Sequence, residues 1–568
     1  MYLLLSEVIK RIYLRILIAG IIFSGLVFPL SGQLSQGGMP LEINASLKSS
    51  IPVIDIVSAP LEELLMTPDN HEAGRLKHLY FARNFKLQVD PQKDGLWTNH
   101  RNGWRIWQVG IRSKGAYSLG LIFSRFRLEG NARLFIYNED RSNVLGAFTG
   151  LNNKTSGILP VSHLPGECVY IQLEVPWEQT GYGELVLGEV AHAYLPIFTD
   201  KINKDGRYGL SDTTCNIDIN CPEGSDWQDI KRSVCRIYIN GNKYCTGVLV
   251  NTTLQDAEPY ILTAAHCIGS QEEADESVFV FSYESPECDG PDGSVNHSIS
   301  GSSLIAVGDT MGDAGTEKAG NIGNDSLDFS LVKLSLTPPD SFNIFLAGWN
   351  RNNSPALNTV SIHHPHGDVK KISFDFDRPQ STYHEENYFE EYIKNSLWRI
   401  LEWDLGTTEM GSSGAPLFDQ EQRIVGFLTG GEANCASSVN DYYTKFDYSW
   451  DYYDSPLKHL KPWLDPLNTG VMVLNGKDLQ NSTETFKPNR VKIYPNPGTG
   501  KYVIMMDVPY SDDITINVYS LAGKIVYSDI ISYTGLYELN LNKHQPGLYL
   551  VRIILPDQII TQKIIHQP

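Results

Sequence analysis

Gly411-Ser412-Ser413-Gly414-Ala415-Pro416 sets a serine in a tight glycine turn. Glycine on both sides permits a sharp backbone path and leaves the hydroxyl unobstructed. It also lets the amides of Gly411 and Ser413 converge on one point, as an oxyanion hole requires. Alone this is a weak signal, because glycine–serine turns occur in many β proteins. Upstream, Thr263-Ala264-Ala265-His266-Cys267 follows the apolar run Tyr260-Ile261-Leu262, and the alanine pair lets the chain turn closely where the imidazole leaves the strand end. A lone histidine is more often a satisfied structural residue. Asp328 opens the apolar run Phe329-Ser330-Leu331-Val332-Lys333-Leu334, an unusual place for a carboxylate unless its charge has a partner. Asp325, three residues earlier, competes for the same role but lies in a polar turn. Together the three supply a nucleophile, a base and a group that holds the base in one tautomer, the parts acyl transfer needs.

In their order (His, Asp, Ser) and flanking residues, these segments resemble the chymotrypsin-like serine proteases, and the resemblance spans Cys215 to about Asp465. It implies a double β-barrel with the site in the cleft between barrels. Ser413 would attack the scissile carbonyl, His266 would shuttle the proton, and Asp328 would stabilise the imidazolium.

The eight cysteines allow many pairings. Cys245 and Cys267 bracket the strand pair that presents His266, so a bridge between them would fix the base. The remaining spacing is similar to that of the bacterial lysyl endopeptidases, and this resemblance implies bridges Cys215–Cys435, Cys221–Cys288 and Cys245–Cys267. Cys168 and Cys235 are left over; Cys235 reads as a small buried hydrophobe. A bridge between those two would tie the protease to the region before it and is not expected.

Trypsin reads a basic side chain with an acid six residues before its nucleophile, and here that position is Thr407. The lysyl endopeptidases place the acid in the strand after the nucleophile. The matching segment is Val439-Asn440-Asp441-Tyr442-Tyr443-Thr444-Lys445-Phe446, which makes Asp441 the candidate at the pocket base. The other reading of Asp441 is a solvated turn residue. A carboxylate buried there is costly without a cationic partner. The family's pocket histidine falls at Thr429, a departure that leaves open lysine alone or lysine with arginine. Its tryptophan falls at Trp403 or Trp398, each of which also reads as core packing. Cleavage after lysine is the expectation. A glutamate-specific endopeptidase of the same fold is one alternative and would need a cationic or histidine-lined pocket near Thr429. A non-catalytic adhesin on a protease-like scaffold is the other, and the complete triad stands against it.

Ser361-Ile362-His363-His364-Pro365-His366-Gly367-Asp368 is rich in imidazole, a common metal ligand. Its proline forces an irregular path and no second ligand cluster has matching spacing. A similar His-Pro-x-Gly-Asp stretch belongs to the lysyl endopeptidase-like group as a structural loop near the cleft. No metal and no cofactor are expected.

Around this core, 568 residues are too many for one hydrophobic core, and roughly three or four folded units are expected. Hydrophobic content of 42% and charged content of 20% fit a globular protein. A net charge of -20 argues against a nucleic-acid partner, which needs a concentrated basic surface. Lys10, Arg11 and Arg15 precede an apolar run from Ile16 to Leu30 and then Ser31-Gly32, the pattern of a secretory signal over residues 1–32. No later run is long and apolar enough to span a bilayer, and disulfides persist outside the cytoplasm.

Residues 33–207 alternate apolar runs such as Ala132-Arg133-Leu134-Phe135-Ile136-Tyr137 with turn clusters, the pattern of a β-sandwich. By the same resemblance this region is a propeptide. Its Lys204-Asp205 and Arg207-Tyr208 bonds suit self-processing, and a carbohydrate-binding or adhesive sandwich is the alternative. The protease domain is read over 208–470 and a linker over 471–490. Residues 491–568 form a mainly β tail that resembles the sorting domain of the type IX secretion system. The resemblance rests on Ile493-Tyr494-Pro495-Asn496-Pro497, Val518-Tyr519-Ser520-Leu521-Ala522-Gly523-Lys524 and Pro546-Gly547-Leu548-Tyr549-Leu550-Val551-Arg552-Ile553. It implies that the secretion machinery and protein or peptide substrates are the partners. The location it implies is secreted or attached to the outer surface of a Gram-negative bacterium. The fold class expected throughout is mainly β.

Overall fold

The computed structural model describes residues 37–42, 49–56, 76–196, 215–308, 326–382, 392–479, 491–506, 513–520, 524–532, 536–554 and 559–567. The signal-type segment 1–32, the bonds at 204–208, Asp325 and linker residues 480–490 lie outside the described residues. The described residues fall into two compact units, divided between Asn481 and Ser482. No described helix is long and apolar enough to cross a membrane.

The N-terminal part of the first unit is a sandwich of two sheets. One runs in the order Val53–Ile56, Trp104–Ser113, Cys168–Pro176, Arg133–Asn138, Val144–Phe148, with Leu96–His100 also on Trp104–Ser113. The other runs Ala82–Val89, Gly183–Ala193, Ser118–Leu128, Leu159–Pro165. Between them pack Trp107, Val109, Ile111, Leu121, Phe123, Ile136, Ile171 and Leu173, the apolar residues whose removal from water holds the two faces together.

The remainder of this unit is mainly β and is built on two large sheets, one for each of the two expected barrels. The first barrel's sheet runs Ser298–Ser300, Val278–Phe281, Val234–Ile239, Lys243–Leu249, Tyr260–Thr263, Ser330–Leu334, Ser302–Val307. The second runs Ile217–Asp218, Lys371–Asp375, Thr359–His363, Pro416–Phe418, Ile424–Gly431, Val439–Lys445, Leu397–Glu402, Gln380–Ser381. One apolar cluster takes Val248, Leu262 and Leu331 from the first sheet and Ile362, Ile372 and Phe427 from the second, so the barrels share a buried seam. Disulfides join Cys215 to Cys435, Cys221 to Cys288, and Cys245 to Cys267. Cys168 and Cys235 are buried free thiols, and burial pushes the Cys235 thiol up to about 12.

The segment expected to begin the linker is packed in this unit. Val473–Leu474 pairs with Trp349–Asn350, Lys477–Asp478 pairs with Phe345–Leu346, and Asp478 lies 2.9 Å from Arg232. The polar composition that reads as linker here supplies edge-strand and ion-pair partners instead. The second unit is a smaller sandwich. Its three-stranded sheet holds Val491–Tyr494, Lys501–Met506 and Leu536–Asn540, and its four-stranded sheet holds Ile525–Ser532, Asp513–Ser520, Gly547–Ile554 and Ile559–His566. Its core includes Tyr502, Ile504, Ile516, Val518, Leu539 and Val551.

Candidate active site

The strand Tyr260–Thr263 ends directly before the turn that carries His266, and the Cys245–Cys267 bridge ties that turn to the neighbouring strand. Asp328 immediately precedes Phe329 and the strand Ser330–Leu334, which pairs with Tyr260–Thr263. The pairing brings the carboxylate beneath the imidazole. Asp328 Oδ1 accepts from the His266 backbone amide at 3.0 Å, and Oδ2 lies 2.8 Å from His266 Nδ1. On the other side of the ring, His266 Nε2 lies 2.7 Å from Ser413 Oγ. The carboxylate fixes the tautomer with hydrogen on Nδ1, which leaves Nε2 to accept from the serine hydroxyl.

Glycine is required on both sides of Ser413. Gly414 has φ +79°, and a Cβ there would come within 2.2 Å of Thr263 Oγ1 and 2.4 Å of the Thr246 carbonyl. Gly411 has φ +95°, and its Cβ would lie 2.8 Å from the His364 carbonyl. The absence of both side chains lets the second barrel's serine turn seat against the first barrel's strands, where the Thr246 amide donates to the Ser413 carbonyl at 2.8 Å. The histidine-rich segment supports the same turn. His363 bridges Ser412 Oγ at 2.8 Å and Ser373 Oγ at 3.0 Å, and His366 lies 3.2 Å from Glu409. Burial pushes His363 down to about 3, so it is neutral while it props the serine turn.

Asp441 is fully buried, in the strand Val439–Lys445 that lies beside Ile424–Gly431. Its Oδ2 accepts from Trp403 Nε1 at 2.7 Å and from Thr408 Oγ1 at 2.5 Å. Trp403 therefore sits on the carboxylate, whereas Trp398 Nε1 donates to the Val425 carbonyl. Thr429 is buried with its hydroxyl 2.8 Å from that of Thr444.

The remaining Asp441 oxygen faces a cation supplied from far away in sequence. Lys77 Nζ lies 2.5 Å from Asp441 Oδ1, 2.5 Å from Thr408 Oγ1, 3.0 Å from the Thr408 carbonyl and 2.9 Å from the Ala433 carbonyl. Burial pushes the Lys77 amine below its ordinary value, and the adjacent Asp441 charge works against that. The Lys77 carbonyl oxygen accepts from the amides of Gly411 at 2.5 Å and Ser413 at 3.2 Å. Leu76 makes an antiparallel bridge to Gly430, and Leu79–Tyr80 pairs with Lys243–Leu249. Lys77, Thr408 and Ala433 are the site residues that sequence reasoning passes over. Lysine followed by the run Leu79-Tyr80-Phe81 is the one local signal for the first, and Ala433 contributes only its backbone.

Residues 209–444 match the family described as lysyl endopeptidase, C-terminal domain, and residues 492–567 match the secretion system C-terminal sorting domain. A lysyl endopeptidase of Pseudomonas aeruginosa is 26% identical over 305 residues, which is 50% of this chain and 60% of that protein. The chain thus spans about 60% of the length of this curated relative. Among solved structures, a Glu endopeptidase in complex with MPD aligns at 17% identity and a TM-score of 0.24, covering 38% of this chain and 85% of its own. Kallikrein-related peptidase 10 in complex with Zn2+ aligns at 15% identity and a TM-score of 0.25, covering 38% and 90%.

Proposed function

We propose that this chain, which carries a lysyl endopeptidase-type domain and a secretion-sorting tail, is a secreted serine endopeptidase that cleaves after lysine. Ser413 is the nucleophile, His266 the base and Asp328 its orienter. Ser413 Oγ attacks the scissile carbonyl carbon as its proton passes to His266 Nε2, with the imidazolium held by Asp328. The amides of Gly411 and Ser413 receive the developing oxyanion. His266 then protonates the leaving amine, and water, deprotonated by the same imidazole, releases the acid from the acyl-enzyme. Protein or peptide substrates are the partners, and the tail directs export through the type IX machinery to the cell exterior or outer surface.

A single observation carries the lysine reading. A lysine of this chain spans the cleft with its carbonyl oxygen on the two candidate oxyanion donors and its ammonium on Asp441. Its three N–H donors meet four closely grouped acceptors, a match to a compact ammonium more than to the planar fork of a guanidinium. The buried Asp441 charge would repel a glutamate side chain, which disfavours the glutamate-specific alternative.

Asp441→Ala tests the pocket. The ratio of kcat/KM for cleavage after Lys to that after Leu should fall by on the order of a hundredfold or more, the effect of removing one partner of a buried ion pair. Steady-state kinetics on paired peptides measures it, and an unchanged ratio would remove Asp441 from the pocket.

A further inference from the structure

The segment carrying Lys77 crosses the cleft in the polarity of a substrate, not merely as a side chain in a hole. Upstream of the lysine, Leu76 is bridged to Gly430 on the second barrel. At the lysine, the carbonyl oxygen and the ammonium are both engaged. Downstream, Tyr80 and Leu79 pair with Lys243 and Tyr244 on the first barrel, and the His78 ring lies 5.3 Å from the His266 ring, tilted 46° to it. Extended backbone pairing on both sides of a carbonyl seated in donor amides is how a peptide is presented for acyl transfer.

We propose that the peptide bond between Lys77 and His78 is a self-cleavage site, cut within the same molecule, and that residues 76–80 fill the cleft until the cut is made. The proposal rests on the lysine-selective reading above. Ser413 Oγ bonds to the Lys77 carbonyl carbon while its proton moves to His266 Nε2. The bond from that carbon to the His78 nitrogen breaks, and the proton passes to the new His78 amine. Water then hydrolyses the ester, regenerating Ser413 and leaving a carboxylate on Lys77.

The two halves of the cut segment are held unequally. The downstream half is fixed to the N-terminal sandwich as well as to the barrel. The Phe81 amide donates to the Asn242 carbonyl at 3.0 Å, and its carbonyl accepts from Tyr194 at 3.0 Å and Leu195 at 3.2 Å. The Phe81 ring stacks on Tyr244 with centroids 4.0 Å apart. The upstream half among the described residues is held by the Leu76 bridge and by Lys77 itself. The cut therefore releases the lysine side of the cleft, while Leu79–Tyr80 stays on the barrel as long as the sandwich does.

The test is refolding of the full chain from residue 33 at two concentrations tenfold apart, followed by intact mass and N-terminal sequencing over time. The same preparation is assayed on an unrelated peptide containing one lysine. The expected result is a fragment beginning at His78 whose rate of appearance is the same at both concentrations, and which never forms in Ser413→Ala. Lys77→Gln should slow it by on the order of a hundredfold. His78→Pro, which keeps the Lys77 side chain but makes the leaving nitrogen tertiary and removes the imidazole beside His266, should block it independently of any folding defect in Lys77→Gln. If the unrelated peptide is cut while the bond at Lys77 stays intact, or if its cutting accelerates with concentration, the proposal is overturned and the lysine reading stands. If neither is cut, the lysine reading itself fails and takes the proposal with it.

Discussion

The molecule buries two carboxylates around one cleft and satisfies them in opposite ways. Asp328, on the first barrel, is fully buried and has both oxygens engaged by one residue, His266, through its backbone amide and its ring. Asp441, on the second barrel, is equally buried and receives two neutral donors from its own barrel, Trp403 and Thr408. Its cation comes from Lys77, in a segment that precedes both barrels. Hydrogen bonds hold Asp441 in position without balancing its charge, and a buried carboxylate lacking a counter-ion is destabilised by several kcal/mol. On the proposed reading, a pocket built this way would select by what it lacks, with rate resting on the first carboxylate and selectivity on the second.

The largest expected effect breaks the first half of that contrast. Asp328→Asn keeps the side-chain shape but presents an amide where the His266 tautomer is set, and kcat should fall by about 10⁴ for every substrate alike. The Lys-to-Leu ratio of kcat/KM should not move. Steady-state kinetics at pH 8 on the two peptides checks this, and a changed ratio would mean that the two carboxylates do not divide their roles.

The two sites also differ in how far the sequence discloses them. His266 and Ser413 stand in short words whose neighbours have visible reasons, the alanine pair before one and the glycines around the other. The close approach at Gly414 supplies the reason for that glycine. Asp328 is marked by being a charge at the head of an apolar run. The pocket offers less. Asp441 emerges by its place in the strand after the serine, and Trp403 is separated from Trp398 only by where its indole N–H points. Thr429, placed in the pocket by spacing, bonds to Thr444, while the hydroxyl and carbonyl that meet the ammonium belong to Thr408. A carbonyl such as that of Ala433 is invisible in sequence because every residue has one. The N-terminal sandwich is readable from its alternation, but its contribution to the cleft is not, since the contact joins residues hundreds of positions apart and depends on docking.

The second expected effect removes the borrowed partner by pH and leaves Asp328's partner in place. His163 of the sandwich is buried against the first barrel, with Nε2 2.7 Å from the Gly241 carbonyl and Nδ1 3.0 Å from Ser118 Oγ. The Phe81 ring lies 5.0 Å away. Burial pushes His163 down to about 4, from an ordinary value of 6.5. The docked state thus binds fewer protons than the undocked state between these values, so docking is fully favourable above pH 6.5 and weakens as pH falls toward 4. Going from pH 7 to 5 should raise the population with residues 76–80 lifted by roughly twentyfold from this group alone. Amide exchange at Leu79 and Phe81 in the uncut Ser413→Ala chain, corrected for the chemical exchange rate, reads it. His163→Gln keeps a donor for Gly241 without a titrating group and should flatten the dependence by that amount. Equal pH dependence in both chains would remove His163 from the docking contact.

The smallest effect sharpens the second half of the contrast by separating charge from hydrogen bonding. The Thr408 hydroxyl donates to Asp441 Oδ2 and accepts from the lysine ammonium, so it links the two charges. Thr408→Val keeps the shape and the Thr408-position carbonyl but removes this link. A hydrogen bond to a charged group contributes about 1.5–3 kcal/mol, and the lower end of that range converts to roughly a tenfold loss of kcat/KM on lysyl peptides, on the order of a tenth of the loss in Asp441→Ala. Leucyl peptides, which place nothing charged in the pocket, should be cut at an unchanged rate. If leucyl and lysyl cleavage fell together, Thr408 would be supporting the serine turn that follows it, and the selectivity of the pocket would rest on Asp441 and the two carbonyls.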